Sequence, residues 1–251
     1  MNRILPALGT VCLVLFVWQV LSLLQWIPAV LIPSPIKVFG IVPDLASTGD
    51  LSIWPDLLAT LFRVLLAFSV AVLIGLPIGL LMGYFESVYM ALAFLIDFFR
   101  SIPATALFPL FLLLFGVGDE SKIAVAGFAC MLIVLFNTMY GVHQAKKLRI
   151  TVARIMGLSG FSLFSKVIFW DALPFIFSGF RLSISLALIV VVVTEMFIGT
   201  NLGIGHRILD AQLVYNVPEM YAAIIFAGTL GYLLNFVMAL IEVRMIHWAG
   251  K

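Results

Sequence analysis

Six stretches of this chain are each long and apolar enough to cross a lipid bilayer, and this constrains the fold more than any other feature. A bilayer core of about 30 Å takes roughly 20 residues of helix to cross. The six runs cover about 4–26, 59–83, 88–115, 122–142, 174–199 and 219–243. They predict an all-α polytopic membrane protein with six transmembrane helices.

Composition supports this class and excludes others. Hydrophobic residues make up 64% of the 251 residues and charged residues only 10%, whereas soluble domains average about 45–50% and about 25%. A net charge of +2 is too small for a nucleic-acid-binding face. The Cys and His residues show no metal-ligand spacing, so we expect no metal site and no nucleic-acid partner.

The first run resembles a signal peptide in position only. It starts with MNRIL, but it exceeds the usual apolar core of a signal peptide and has no small-residue cleavage site near its end. We therefore predict a retained helix. Residues 1–55 are expected to hold this helix and an external segment, and residues 56–245 the main membrane domain.

Lys and Arg in the flanking segments predict the orientation, because basic loops stay cytoplasmic. With the N-terminus inside, the basic residues on the inner side are Arg3, Lys146, Lys147, Arg149, Arg154, Lys166, Arg244 and Lys251. Those on the outer side are Lys37, Lys122 and Arg207. The first set is clearly larger, so both termini are predicted to be cytoplasmic.

The largest cytoplasmic loop, about 143–173, is patterned. It predicts two short helices, one from Thr151 to Met156 and an amphipathic one from Ser162 to Trp170. Gly157 can take the positive φ that ends a helix. Pro174 suits the first turn of the next span. On these grounds alone, an amphipathic connector resting on the membrane surface remains an equal alternative.

The loop resembles the cytoplasmic signature of bacterial ABC importer permeases, which reads Glu-Ala-Ala, three residues, Gly, and a run ending near Leu-Pro. Here the chain reads TVARIMG at 151–157 and FSLFSKVIFWDALPFIFSGFRLS at 161–183. The matching positions are Ala153, Gly157, Phe164, Lys166, Val167, Leu173, Pro174, Gly179 and Arg181. Thr151 stands where the family usually has Glu, and Trp170 where it often has Pro.

Further segments are similar to the nitrate, sulfonate, taurine and bicarbonate branch of that family, and together they cover about 56–245. They are TLFRVLLAFSVAVLIGLPIGLLMGY at 60–84, FFRSIPATALFPLFLLLFGVGDESK at 98–122, NTMYGV at 137–142 and TEMFIGTNLGIG at 194–205. Gly75, Gly79 and Gly83 recur every four residues in the first of these, which predicts close helix packing.

The resemblance implies a type I ABC importer permease fold in the bacterial inner (plasma) membrane, and a permease that does no chemistry itself. Its implied partners are a second permease copy, two cytoplasmic ATPases and a periplasmic or lipid-anchored substrate-binding protein. The chain has no GK[ST] phosphate loop, so ATP and Mg would bind the ATPase and no cofactor would bind here. The expected ATPase-coupling residues are Thr151, Ala153, Gly157, Phe164, Lys166, Leu173 and Pro174.

Charges and prolines within the third run indicate a translocation path, because intramembrane charges are costly. Arg100 is expected near mid-membrane, and Asp97 lies three residues earlier on the same helix face. The pair is either a salt bridge that eases insertion or part of the path. Pro103 and Pro109 each remove a helical hydrogen bond, which favours the path.

Two charges lie near the outer ends of their spans. Glu195 has a Glu counterpart in the family, and it is predicted either to act in a gate or dimer contact or to sit at an ordinary solvated helix end. Arg63 is expected to snorkel to water. The predicted path residues are therefore Asp97, Arg100, Pro103, Pro109 and Glu195.

Two other classes remain as alternatives. A secondary transporter usually shows paired broken segments, and only the third run here contains two prolines. A membrane enzyme needs a nucleophile and base or a metal cluster, which these residues do not supply. The substrate is predicted to be a small oxyanion such as nitrate, bicarbonate, a sulfonate or taurine, with a heterocyclic vitamin precursor as the alternative.

Overall fold

The computed structural model describes residues 4–24, 28, 31–49, 51–197 and 201–246. These ranges fold into helices joined by turns. The helices are α1 Ile4–Leu24, α2 Pro35–Ala46, α3 Trp54–Tyr84, α4 Glu86–Arg100, α5 Phe108–Phe115, α6 Asp119–His143, α7 Lys147–Ile155, α8 Gly160–Phe197, α9 Ile204–Leu213 and α10 Val217–Met245. The termini, including Arg3 and Lys251, and the predicted run ends at 25–26 and 198–199 lie outside the described residues.

Helices α3, α6 and α8 form the packed centre of the molecule. Buried residues of all three meet in one cluster, which includes Val64, Ala126 and Val191. The small residues of α3 allow this approach: a Cβ added to Gly79 would lie 2.6 Å from the Leu135 carbonyl oxygen. The prediction of close packing at Gly75, Gly79 and Gly83 is therefore confirmed.

Helices α3, α6, α8 and α10 are each long and apolar enough to span a membrane. The third predicted run is not one straight span: α4 and the segment Ala104–Phe115 meet at an angle of 89°. Pro103 explains the break, because it lacks an N–H and disfavours helical geometry at the preceding residue. Pro109 does not interrupt a helix, since it lies in the first turn of α5, where no backbone N–H is needed.

The described residues thus contain four spanning helices, or five if the bent pair is one span. The first run corresponds to α1, whose apolar part Gly9–Leu24 is shorter than a full span. The predicted total of six spans and the cytoplasmic position of both termini remain predictions.

The loop predicted to be cytoplasmic contains one separate helix rather than two. Helix α7 ends before Gly157, whose φ is +84° as predicted. Residues 162–170 are helical as predicted, but the prediction of a separate short helix is wrong, because α8 runs from Gly160 to Phe197 through a π-helical turn at Phe164–Ile168. Pro174 consequently lies inside α8. Local π-helical adjustments let membrane helices tolerate an internal proline.

Candidate functional site

Helix α7 carries an apolar face that no part of the described chain covers. Leu148, Ile155 and Met156 are 76%, 80% and 77% exposed, and Val152 between them is 48% exposed. Their spacing places all four on one side of the helix. The surrounding basic residues are Lys146, Lys147, Arg149 and Arg154. We call the four apolar residues the α7 face.

A groove of about 730 Å³ separates α7 from the start of α8, and part of the α7 face forms one of its walls. Its lining residues are Leu148, Arg149, Val152, Ala153, Met156, Leu158, Lys166, Val167, Trp170 and Asp171. Asp171 fixes α7 against α8, because its carboxylate pairs with the Arg149 guanidinium and accepts a hydrogen bond from the Lys146 backbone N–H at 3.1 Å. These two contacts of Asp171 therefore hold the two walls of the groove together.

The predicted coupling residues fall into two groups: exposed side chains, and buried side chains that support the loop. Thr151 and Lys166 are exposed, while Ala153 and Leu173 are buried in the cluster beneath α7. The ring of Phe164 packs edge-on against Tyr84 at 5.0 Å between centroids. The buried members shape the loop and do not form its outer surface. The residues most available to a partner are those of the α7 face. The spacing of apolar residues within 148–156, next to the basic cluster, is the sequence signal that would have indicated this face.

A second concavity of about 620 Å³ lies where the bent third run meets α6 and α8. Its lining residues are Phe99, Arg100, Ile102, Pro103, Ala104, Phe128, Ala129, Leu132, Ile133, Phe136, Asn137, Leu182, Ser185, Leu186 and Ile189. We call it the α4–α6–α8 concavity. Arg100 and Pro103 line it, whereas Asp97 and Pro109 are not among its lining residues.

Arg100 is paired and also faces this concavity. Its Nη1 lies 3.5 Å from Asp97 Oδ1, and its guanidinium carbon lies 3.9 Å from the centre of the Phe136 ring. The predicted pairing with Asp97 is confirmed. The two interpretations of this pair, a salt bridge or a cavity-facing charge, are therefore compatible.

Glu195 lies in a buried ion-pair cluster where the N-terminal parts of α3 and α6 meet the C-terminal part of α8, the end of the helices predicted to lie outside. Its carboxylate accepts hydrogen bonds from Arg63 Nη1 at 2.6 Å, Thr60 Oγ1 at 2.9 Å and the Gly205 N–H at 3.0 Å. Arg63 also pairs with Asp119 at 2.8 Å. We call Arg63, Asp119, Lys122 and Glu195 the outer cluster, in which two positive charges balance two negative ones.

The outer cluster corrects two expectations. The side chains of Arg63 and Glu195 are 5% and 0% exposed, so Arg63 does not snorkel to water and Glu195 is not a solvated helix end. Burial is tolerated because each charge has a charged partner and further hydrogen bonds. Glu195 does not line the α4–α6–α8 concavity. Sequence spacing could not reveal these pairs, because Arg63 lies 56 and 132 residues from its partners.

Comparison with known proteins gives one family. Residues 75–247 match the family model described as the binding-protein-dependent transport system inner membrane component. This range includes the predicted cytoplasmic loop, the bent third run, the C-terminal third of α3 and all of α6, α8 and α10.

Similar proteins extend the match to nearly the whole chain. The taurine transport system permease protein of Escherichia coli (strain K12) is 29% identical over 100% of this chain and 92% of its own length. A putative aliphatic sulfonates transport permease protein of Bacillus subtilis (strain 168) is 30% identical over 95% and 85%. The nitrate import permease protein of Synechocystis sp. is 31% identical over 94% and 87%.

A solved structure shares the fold. A chain of the MetNI methionine ABC transporter in an inward-facing conformation superposes with a TM-score of 0.68 at 18% identity, over 79% of this chain and 99% of the other. The likeness concerns the helical architecture, and it agrees with the predicted permease fold.

Proposed function

This chain belongs to the family of binding-protein-dependent transport system inner membrane components, and we propose that it passes a small oxyanion from an external binding protein to the bacterial cytoplasm. It is a multi-pass permease of the ABC importer class. Taurine, aliphatic sulfonates and nitrate are the cargoes in the names of its relatives. The proposed cargo is accordingly a sulfonate or a nitrate-like anion.

The α7 face is the observation that supports ATP-driven transport through a partner. An apolar helix face at i, i+4, i+7 and i+8 with a basic rim fits helix-in-groove recognition. Exposed apolar patches of this kind mark contacts with a protein or with a membrane, and membership of a transport-system permease family favours a protein partner here. We place the ATPase there, and ATP and Mg on that subunit, with no cofactor on this chain.

The motion of the ATPase would then pass from α7 to α8 through the contacts that Asp171 makes with Arg149 and Lys146. A displacement of α7 by the ATPase is transmitted to Asp171 by Arg149 and by the Lys146 backbone. Asp171 belongs to the same unbroken helix that lines the α4–α6–α8 concavity with Leu182, Ser185 and Ile189. A rigid helix therefore connects the proposed ATPase surface to the proposed path.

The proposed path is the α4–α6–α8 concavity, with Arg100 and Pro103 in its wall and Asp97 as the partner of Arg100. Helix α4 is about 22 Å long by its rise per residue, which places Arg100 well inside the bilayer. Non-helical backbone at membrane depth is tolerated where it is covered by protein or lines a watery cavity. The break at 101–103 fits this arrangement. Glu195 would then help to hold α3, α6 and α8 together at the outer end of the path, and it would not contact the substrate.

The complete machine would contain two copies of this chain, two ATPases and a periplasmic or lipid-anchored binding protein. Both termini would lie in the cytoplasm, and α1 would complete six spans. The concavity opens at the surface of a single copy, so a second copy facing it would close a path between them.

A paired substitution tests the ATPase surface. Ile155→Asp places a charge on the α7 face and should abolish both capture of the ATPase and uptake. Val214→Asp is the matched control, because Val214 is 73% exposed in the turn after α9, at the opposite end of the molecule. Normal ATPase capture by Ile155→Asp, or equal loss in both variants, would contradict the assignment.

A further inference from the structure

Beside Arg100, the α4–α6–α8 concavity contains a second hydrogen-bond donor that the importer assignment leaves without a role. We propose that Arg100 and Asn137 together form a binding station for one sulfonate or nitrate ion midway along the path. This inference rests on the proposed function and names two residues of this chain that recognise its cargo.

Arg100 is held in a way that leaves most of its donors available. Its guanidinium lies over the Phe136 ring at 3.9 Å, which fixes the plane of the group. The contact with Asp97 is long, at 3.5 Å, and the Asp97 side chain is 73% exposed. A guanidinium has five N–H donors, and this contact occupies one end. The fork that remains can bind two oxygens of an anion in parallel.

Asn137 follows Phe136 on α6 and lines the same concavity. Its Nδ2 donates one hydrogen bond, to the Ile133 carbonyl at 2.9 Å. An amide nitrogen carries two hydrogens, and the second has no acceptor among the described residues. A Cβ added to Gly179 would lie 2.6 Å from Asn137 Cβ, so the α8 backbone confines this side chain.

Ser185 offers a contrast within the same wall. Its hydroxyl donates to the Arg181 carbonyl at 3.1 Å and accepts a hydrogen bond from Asn235 Nδ2 at 2.8 Å. This hydroxyl proton is already committed, so Ser185 has no donor to give a ligand. Asn137 is thus the other side chain in the lining of this concavity with a spare donor.

The donor set selects the class of ligand. A sulfonate or nitrate ion presents three oxygens, of which the Arg100 fork takes two and the Asn137 N–H takes the third. The remaining wall is apolar and includes Ile102, Leu132 and Ile189. Such surroundings screen a charge less than water does. The Arg100 charge, which Asp97 offsets only in part across 3.5 Å, disfavours a cation here, and a neutral solute gains little from Arg100.

The test measures charge selectivity of the concavity without requiring transport. A cysteine is introduced by Leu182→Cys, because Leu182 lines the concavity and is 59% exposed. The exposed native thiol is removed by Cys12→Ser, while Cys130 is buried. The detergent-solubilised complex is labelled with an anionic sulfonatoethyl and a cationic trimethylammonioethyl methanethiosulfonate. Each rate is divided by the rate of the same reagent with a free small thiol, because a thiolate reacts intrinsically faster with the cationic reagent, and the two normalised rates are compared.

We expect the anionic reagent to be favoured, and the ratio of rates to fall about tenfold with Arg100→Gln, since Coulomb attraction is strong in a weakly screened site. Asn137→Ala should lower it about threefold, because one charge-assisted hydrogen bond is lost. Ser185→Ala should leave the preference, because the Ser185 hydroxyl is already paired within the protein. Arg100→Lys keeps the charge but loses the fork, so it should lower the ratio less than Arg100→Gln does. Added methanesulfonate should slow labelling of the parent and not of Arg100→Gln.

Three results would overturn the station. The first is equal rates for both reagents in the parent, and the second is a ratio unchanged by Asn137→Ala. The third is no reaction of the introduced thiol with either reagent, which would mean that the concavity is filled by protein or lipid. An anion preference that is present in a complex unable to drive ATP-dependent uptake would instead contradict the importer assignment alone. The two proposals can therefore fail separately.

Discussion

Arg63 and Glu195 are 132 residues apart in the chain, yet Arg63 Nη1 lies 2.6 Å from Glu195 Oε1 in the buried outer cluster. This pair joins α3 to α8, and Asp119 adds α6 to the same cluster. The three helices of the packed centre are therefore fastened to one another at one end by charges. A membrane protein gains less from apolar burial between helices than a soluble one does, so such ties matter to its stability.

Glu195→Ala should destabilise the chain by about 3 kcal/mol, because removing one partner of a buried pair leaves the other charge uncompensated. Glu242→Ala is the matched control, since Glu242 pairs with an Arg181 side chain that is 47% exposed, and exposed pairs contribute about 0–1 kcal/mol. Thermal unfolding of the purified protein in detergent measures both. Equal shifts in the two variants would contradict a stabilising outer cluster.

Gly79→Ala should destabilise the packing of α3 on α6 by about 1–3 kcal/mol, because the added methyl group would meet the Leu135 carbonyl oxygen at 2.6 Å. Gly228→Ala in α10 is the control, because a Cβ there meets nothing within 4 Å. Alanine favours a helix over glycine by about 1 kcal/mol, so the control should be neutral or stabilising. The same unfolding assay distinguishes them, and a harmless Gly79→Ala would show that the helices adjust.

The sequence predicts much of this fold because bilayer thickness dictates helix length. The runs at 59–83, 122–142 and 219–243 correspond to α3, α6 and α10, and the spacing of Gly75, Gly79 and Gly83 predicts how α3 packs. The 89° bend after Arg100 does not follow from the apolar run, although Pro103 marks its position. The unbroken start of α8 escapes prediction because a proline such as Pro174 is typical of a helix beginning.

The candidate sites were harder to predict, because they depend on contacts distant in sequence. Asp97 and Arg100 lie three residues apart, so their pairing follows directly from the sequence. The partners of Glu195 and the wall that joins Arg100 to Asn137 come from different helices, and no local pattern connects them. The helical spacing of apolar residues could have predicted the α7 face, but the family signature points instead to residues that follow this face in the sequence.

Gly157→Val should uncouple transport while leaving membrane insertion intact, because a β-branched side chain resists the φ of +84° found there. Gly116→Val is a control that also places a valine at a positive φ, since Gly116 has a φ of +77° and open space around it and lies outside the predicted coupling loop. Pull-down of the ATPase and uptake in cells measure the effect. Normal uptake by Gly157→Val would count against the coupling loop.

Two copies of this chain should assemble with two ATPases, since a single copy leaves the α4–α6–α8 concavity open at its surface. Native mass spectrometry of the complex purified from its own host gives the ratio directly. A homodimer of this chain is expected. A complex with one copy per two ATPases would contradict the prediction unless a second permease chain of similar mass completed it.

The measurement that tests the central claim most directly is uptake of radiolabelled taurine and nitrate into proteoliposomes that contain this permease. The purified ATPase and binding protein of the same system are added or withheld in turn. We predict that one of these anions accumulates only when ATP, the ATPase and the binding protein are all present, and that Ile155→Asp abolishes this uptake. Accumulation by the permease alone, driven by an ion gradient and indifferent to ATP, would contradict the account.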